Sequence, residues 1–506
     1  MNHLIIIFFL FLGCLSSNVG AQSGFNSVYH QYSLVDHFSR LIVAQDTIYT
    51  IGEAYDTTDI TSPLQVWMVK TDSFGNIIKT KLHRDSLNAF LSMDFLYGNI
   101  LQTAKGFFAF PVFVFGRNAF QIIQINKELE VQSIFEYPLG ENKNEYYEQL
   151  LEMPDGGFMI AGSAQRSNFK QDGFVRRIDQ HGNLLWEKYY GEFTKDESIR
   201  AIDRINENKF VVGGGVGPDS NNPSTARAGI WVIDSNGTVT NTWIGPQSPD
   251  FILIRGLLTT PDGGFIAHGR TYMGEGPWGS KVQVCLMKFN ASLQYDWFKH
   301  IGPGTGNFTG IMDMTATPDG HYLLAGQRTS YGDFSVPSED WGGWLYKFSE
   351  QGDSLWSRAD NAPPGMNATG EFVYGGVGLL SSGSVVAGGK GDIDDKFVGW
   401  IVKVAANGCM DSLDCLISAV EESEEAVGLE VSPNPANQTL QITRSTGVKG
   451  AQLRIIGLTG TLEEYTIPRG QTITVFSTTH LPNGLYMVVM MEEGKVVARQ
   501  KLIILH

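Results

Sequence analysis

The chain is short of the residues that most readily declare a chemistry. Only 18% of its 506 residues are charged, and 37 Lys and Arg stand against 53 Asp and Glu for a formal net charge of −16. No basic block occurs. Phosphate backbones and anionic membrane faces are bound by clustered cations, so the charge argues against nucleic acid and such membranes as partners. Sustained apolar spacing of three and four residues is missing after the N-terminus, which excludes a helical bundle. The catalytic spellings Gly-x-Ser-x-Gly and His-Glu-x-x-His are absent, as are a phosphate-binding loop and an EF-hand loop. The ten histidines have no metal-ligand spacing, and nothing in the chain calls for a metal or another cofactor.

What is abundant points the other way. There are 58 glycines, and aromatics reach 11%. That mixture suits many short strands joined by tight turns. The expected fold class is all-β.

Residues 1–21 have the layout of a secretory signal: an apolar run from Leu4 to Leu12, then small residues ending in Val19-Gly20-Ala21. The run falls short of the roughly 20 apolar residues of a membrane span. Lipoprotein processing at Cys14, in Leu12-Gly13-Cys14, is the competing reading. Of the four cysteines, Cys14 leaves with the signal, and Cys285 sits in an apolar strand and reads as buried. Cys409 and Cys415 lie six apart. Outside the cell that pair reads as a local disulfide closing a small loop.

Between about residues 40 and 408 the chain repeats itself. The plainest copies are Pro154-Asp155-Gly156-Gly157-Phe158, Pro261-Asp262-Gly263-Gly264-Phe265 and Pro318-Asp319-Gly320-His321-Tyr322, followed by apolar residues and Gly162, Gly269 or Gly326. Degenerate copies lie around Tyr49 with Gly52, Lys105-Gly106-Phe107-Phe108, Phe210 with Gly213, and Gly383-Ser384-Val385 with Gly388. That makes seven copies at a period of about 50 to 63 residues.

Each copy holds a turn that needs positive φ, a third strand such as Gly343 to Phe348, a second turn, and a fourth strand bearing Trp186, Trp297 or Trp356. Four antiparallel strands repeated seven times predict a seven-bladed β-propeller over residues 22–415. The body resembles secreted bacterial propellers built on this Asp-Gly-Gly-Phe and Gly-Asn-x-x-Trp repeat. The seventh copy lacks a fourth strand, and Ser27 to Tyr32 reads as a spare one, so the N-terminus is expected to complete the last blade. A loose N-terminal arm is the alternative. The recurring Trp residues read as blade packing.

The short Gly turns must share one face of the disc, which leaves the longer connections for the other. Functional residues concentrate on such loops. Gly217 to Gly229, Thr271 to Lys281 and Thr329 to Gly342 are the longest second-to-third connections. Tyr272, Trp278, Tyr331 and Trp341 in the last two, beside several carboxylates, are the candidate ligand-binding residues for glycan or protein. Packing of these rings onto their own loops is the plainer alternative. Asp392, Asp394 and Asp395 lack the spacing of a calcium loop and read as a solvated acidic turn.

Residues 416–428 contain Glu421-Glu422-Ser423-Glu424-Glu425 and read as an acidic linker. Residues 429–506 alternate apolar positions and predict a small Ig-like β-sandwich of roughly seven strands. Within them stand Pro433-Asn434-Pro435-Ala436, Gly484-Leu485-Tyr486 and a final Lys501-Leu502-Ile503-Ile504. This order resembles the type A C-terminal sorting domain of the type IX secretion system, with Pro433, Asn434, Pro435, Gly484, Tyr486, Lys501 and Leu502 as the matching positions. The resemblance implies export through that machinery and either release or attachment at the outer-membrane surface, with no transmembrane segment. For the propeller two functions stand: a non-enzymatic binding or adhesion module, or an extracellular hydrolase or lyase using channel-facing carboxylates.

Overall fold

The structure is a computed structural model that describes residues 24–30, 36–55, 63–93, 98–116, 118–138, 145–165, 171–191, 196–217, 227–245, 253–276, 279–301, 308–329, 342–410, 429–444, 450–457, 460–492 and 495–506. Strands and turns account for them, with no helix among the described residues.

The turn motif sets where strands start. In Pro154 to Phe158 and Pro261 to Phe265 the first glycine takes φ of 81°, a region open to glycine at no steric cost. The aspartate then accepts from the second glycine's amide, Asp155 Oδ1 from Gly157 N and Asp262 Oδ1 from Gly264 N, both at 3.0 Å. It also meets a cation on the third strand: Arg177 with Asp155 at 2.5 Å, Lys288 with Asp262 at 2.8 Å, and Lys347 with Asp319 at 2.6 Å. Lys288 and Lys347 are buried, so the motif pins three strands of its blade at one point.

Seven sheets result, and they form a seven-bladed propeller. Blade 1 is Asp36–Ala44, Thr47–Ala54, Gln65–Thr71 and Ile77–His83. Blades 3 to 6 repeat that order, from inner strands Glu145–Glu152, Glu197–Asn206, Leu253–Thr259 and Phe308–Ala316. Blade 7 takes Val373–Leu379, Val385–Ile393 and Lys396–Val404 from the end of the repeat region. Its outer strand is Phe25–Tyr29, paired antiparallel with Phe25 opposite Lys403 and Tyr29 opposite Gly399. Blade 7 touches blade 1 as every blade touches the next. The ring is closed by the chain's own start.

Blade 2 departs from the pattern. Its inner strand is split into Phe90–Ser92 and Leu101–Gln102, both pairing with Phe108–Phe115. Pro111, which has no N–H to offer a neighbouring strand, lies between the two stretches that these pieces pair with, and Gly98 lies beside its ring.

Adjacent blades are fastened at two levels. Near the axis a polar side chain accepts from the next inner strand: Asn99 Oδ1 from Leu150 N (2.7 Å), Gln149 Oε1 from Ile202 N (2.9 Å), Asp203 Oδ2 from Thr259 N (2.6 Å) and Asp313 Oδ2 from Val377 N (2.9 Å). These bonds satisfy amides that an inner edge strand would otherwise bury unpaired. At the rim, outer-strand aromatics clamp a turn glycine of the next blade. Trp297 Nε1 donates to Glu350 O at 3.0 Å and Trp356 Nε1 to Ala406 O at 3.1 Å, with their rings against Gly352 and Gly408. Trp186 lies against Gly237 in the same way.

The C-terminal part is a sandwich around one core that includes Leu440, Ile455, Tyr486, Val488 and Leu502. One sheet orders Leu429–Ser432, Thr439–Arg444 and Ile473–Ser477; the other orders Gly460–Ile467, Ala451–Gly457, Gly484–Glu492 and Lys495–Ile504.

Candidate functional site

Six of the seven inner strands carry a β-bulge at one repeat position: Ser39, Glu148, Arg200, Arg255, Met312 and Gly375 are each skipped in the pairing register. A bulge re-aims side chains next to it. It also explains the repeat glycine. A Cβ at Gly52, Gly162, Gly269 or Gly326 would lie well inside 3.0 Å of the carbonyl oxygen two residues before the bulge, on His37, Tyr146, Leu253 or Gly310. In blades 4 and 7 the glycines under this constraint are Gly214 and Gly389, against Ser198 O and Val373 O, one place beyond the Gly213 and Gly388 that the sequence singles out.

Four of the bulge residues, Glu148, Arg200, Arg255 and Met312, line a cavity of about 110 Å³ bordered by blades 1 to 6. Arg40, Glu148, Arg200, Arg255, Asp313 and His268 supply its ionisable groups. Glu148 Oε1 accepts from Arg200 Nη1 at 2.7 Å. Arg40 donates through Nε to Gly98 O at 2.5 Å and through Nη1 to Ser39 O at 2.6 Å, which ties the split blade 2 to blade 1. Asp313 accepts from Met314 N and Val377 N, both at 2.9 Å. Burial pushes its pKa up to about 6, against those two bonds and Arg40. Burial, with Arg255 and Arg270 nearby, lowers His268 to about 3, so its imidazole is neutral. Gly256 lies against that ring, where a Cβ would collide.

None of these six groups was legible as a site in the sequence. A signal for the bulge does exist: Glu148, Arg200, Arg255, Met312 and Gly375 each stand ten residues ahead of the second strand's opening Phe158, Phe210, Phe265, Tyr322 or Val385.

Of the ring residues expected to bind ligand, Trp278, Tyr331 and Trp341 lie outside the described residues. Tyr272 is on a strand opposite Val282. The expected loop from Thr271 to Lys281 is instead a continued hairpin, Phe265–Gly276 with Gly279–Phe289, pairing out to Gly276 and Gly279. Extended pairing satisfies backbone groups that a loop would leave to water. Asp394 and Asp395, with φ of 50° and 60°, form the two-residue turn between Ile393 and Lys396, and Asp392 accepts from Thr369 Oγ1 at 2.9 Å. Among the described residues no group of three His, Cys, Asp or Glu is placed to hold a metal. Cys285 is buried with a free thiol, and burial raises its pKa. Cys409 is buried at the close of blade 7, while Cys415 and residues 1–21 lie outside the described residues.

The sandwich gathers most of its candidate positions about the last strand. Asn434 Oδ1 accepts from Ile503 N at 2.8 Å, and Ala436 N donates to Ile503 O at 2.8 Å. Pro433 and Pro435, both preceded by cis peptide bonds, flank that contact. Gly484 pairs with Ile504, Tyr486 with the buried Leu502, and Met487 with Lys501; Tyr486 Oη donates to Pro482 O at 2.6 Å.

Residues 430–505 match the family described as the secretion system C-terminal sorting domain. The chain therefore carries a type IX secretion tail, which marks export to the cell surface or the extracellular space. No helix of the described residues is long and apolar enough to cross a membrane. No curated protein matches the chain. Among solved structures it is similar to an oligogalacturonate lyase in complex with manganese, at 11% identity over 76% of this chain and 96% of that one with a TM-score of 0.40. It is also similar to polysaccharide lyase Uly1, at 9% over 74% and 91% with 0.39, and to a protein of unknown function from Dyadobacter fermentans, at 11% over 73% and 97% with 0.37. The propeller assignment rests on this chain's own strand pairing.

Proposed function

We propose that the propeller is a non-enzymatic binding module for a glycan or protein, delivered outside the cell by its sorting domain. The observation that carries this reading is the engagement of the carboxylates lining the cavity. Glu148 is paired with Arg200, and Asp313 holds two backbone amides. General acid–base chemistry on a glycosidic bond asks for two carboxyl groups facing the scissile bond; the engagement of both with Arg200 and with backbone amides supports the binding reading. The same reading takes residues 1–21 as the signal, 22–415 as the propeller, 416–428 as the linker, 429–506 as the sorting domain, and Cys409 with Cys415 as a disulfide. It takes Pro433, Asn434, Pro435, Gly484, Tyr486, Lys501 and Leu502 as the sorting motif of the domain that the type IX machinery reads, with Tyr486 and Leu502 holding its core. The test is a glycan-array screen of the mature protein, with assays for new reducing ends and new amines on every ligand bound. Binding without release supports the module; release of either kind rejects it.

A further inference from the structure

We infer that the cavity inside blades 1 to 6 is a recognition site for an oxyanion, a carboxylate or sulfate group on the ligand. The inference deepens the binding reading by naming the ligand chemistry of the propeller, and it rests on that reading.

The first observation is how the site is built. Bulges in blades 4 and 5 place Arg200 and Arg255 in the wall, and Arg40, next to the bulge of blade 1, joins them. Three guanidinium groups thus come from three separate blades. Against them stand two carboxylates, Glu148 and Asp313, and a neutral His268. Among the lining residues three guanidinium groups stand with two carboxylates, inside a chain whose formal net charge is −16.

The second observation is the geometry of those groups. Guanidinium presents a planar fork of donors that fits carboxylate and sulfate oxygens in pairs. Arg40 directs Nε and Nη1 to backbone carbonyls and Arg200 directs Nη1 to Glu148, so both heads have a fixed orientation before any ligand arrives. Preorganised donors lower the entropy cost of binding. About 110 Å³ is far above the ~10–15 Å³ that one water needs and suits a group of a few heavy atoms rather than a whole sugar chain. The anion would enter as the terminal or pendant group of a larger ligand lying on the disc.

The test uses the mature full-length protein and isothermal titration at constant ionic strength, with sodium sulfate, galacturonate and neutral galactose as probes. Saturable binding of sulfate, galacturonate or both is expected, with none for galactose; which anion binds assigns the source of the charge. Arg255→Gln and Arg200→Gln should each weaken that binding about tenfold or more, and Arg255→Lys should restore part of it. Circular dichroism and a melting curve identify any variant that has lost its fold, and the wild-type titration stands without them. Failure of both anions to bind the wild type, or binding unchanged in folded Arg255→Gln and Arg200→Gln, overturns the inference. A glycan-array hit in that case would leave the broader binding reading standing on the loops.

Discussion

The hydroxyl of Tyr29 donates to the carbonyl of Gly75 at 2.7 Å, from the outer strand of blade 7 to the turn of blade 1. Tyr190 makes the same bond to Gly237 at 2.9 Å and Tyr137 to Gly182 at 2.8 Å, both within the uninterrupted run of the chain. The seam where the two ends of the propeller meet is thus fastened by the bond used elsewhere in the ring. Tyr29→Phe and Tyr190→Phe should therefore each cost about 1 kcal/mol in urea denaturation. A neutral Tyr29→Phe beside a costly Tyr190→Phe would mean that the seam is loose.

The bulge glycines separate two neighbours in blade 4. Gly214 faces a backbone carbonyl, whereas a Cβ at Gly213 would meet side-chain atoms of Ile254 and Leu257. Gly214→Ala should destabilise by more than about 3 kcal/mol and Gly213→Ala by less. Chemical denaturation midpoints of the two variants decide it, and equal effects would refute the bulge explanation.

Stability against pH should carry two opposite signatures. Asp262 and Asp319 have pKa values lowered to about 2, with Lys288 and Lys347 bonded to them. Their contribution is complete above the ordinary carboxylate pKa and is lost as pH falls through about 2. Asp313 runs the other way. Its folded pKa near 6 exceeds the ordinary 3.8, so the folded state holds the proton more tightly and stability declines as pH rises from about 4 to about 6. Melting temperatures across that range should decline more steeply in the wild type than in Asp313→Asn, which leaves Asp203, also raised by burial, in place.

Thiol counting tests the Cys409–Cys415 pairing. Unfolded without reductant, the mature protein should expose one reactive thiol, that of Cys285; after reduction it should expose three. Three before reduction would exclude the bridge. Replacing both cysteines by Ser should change global stability little, because the loop closed is short.

The blade count and the turn chemistry were legible because each depends on local residues: a glycine for positive φ and an aspartate to bind the turn. Blade closure was legible from a missing strand at one end and a spare one at the other, although the paired segment is Phe25–Tyr29 and begins ahead of Ser27. The cavity was not legible. Arg200, Arg255 and Glu148 fall at a repeat position occupied in other blades by Met312 and Gly375, so no shared residue type marks it. Only the inserted residue of the bulge turns them toward one space.

The most direct test of the account is product formation from the tightest-bound array ligand by wild-type protein and by Glu148→Gln, measured beside the affinity of each. If the carboxylates of the cavity hold the scaffold, neither protein releases product, and Glu148→Gln alters affinity only through its contact with Arg200. Product from the wild type that disappears in a folded Glu148→Gln variant would contradict the account and make the propeller an enzyme.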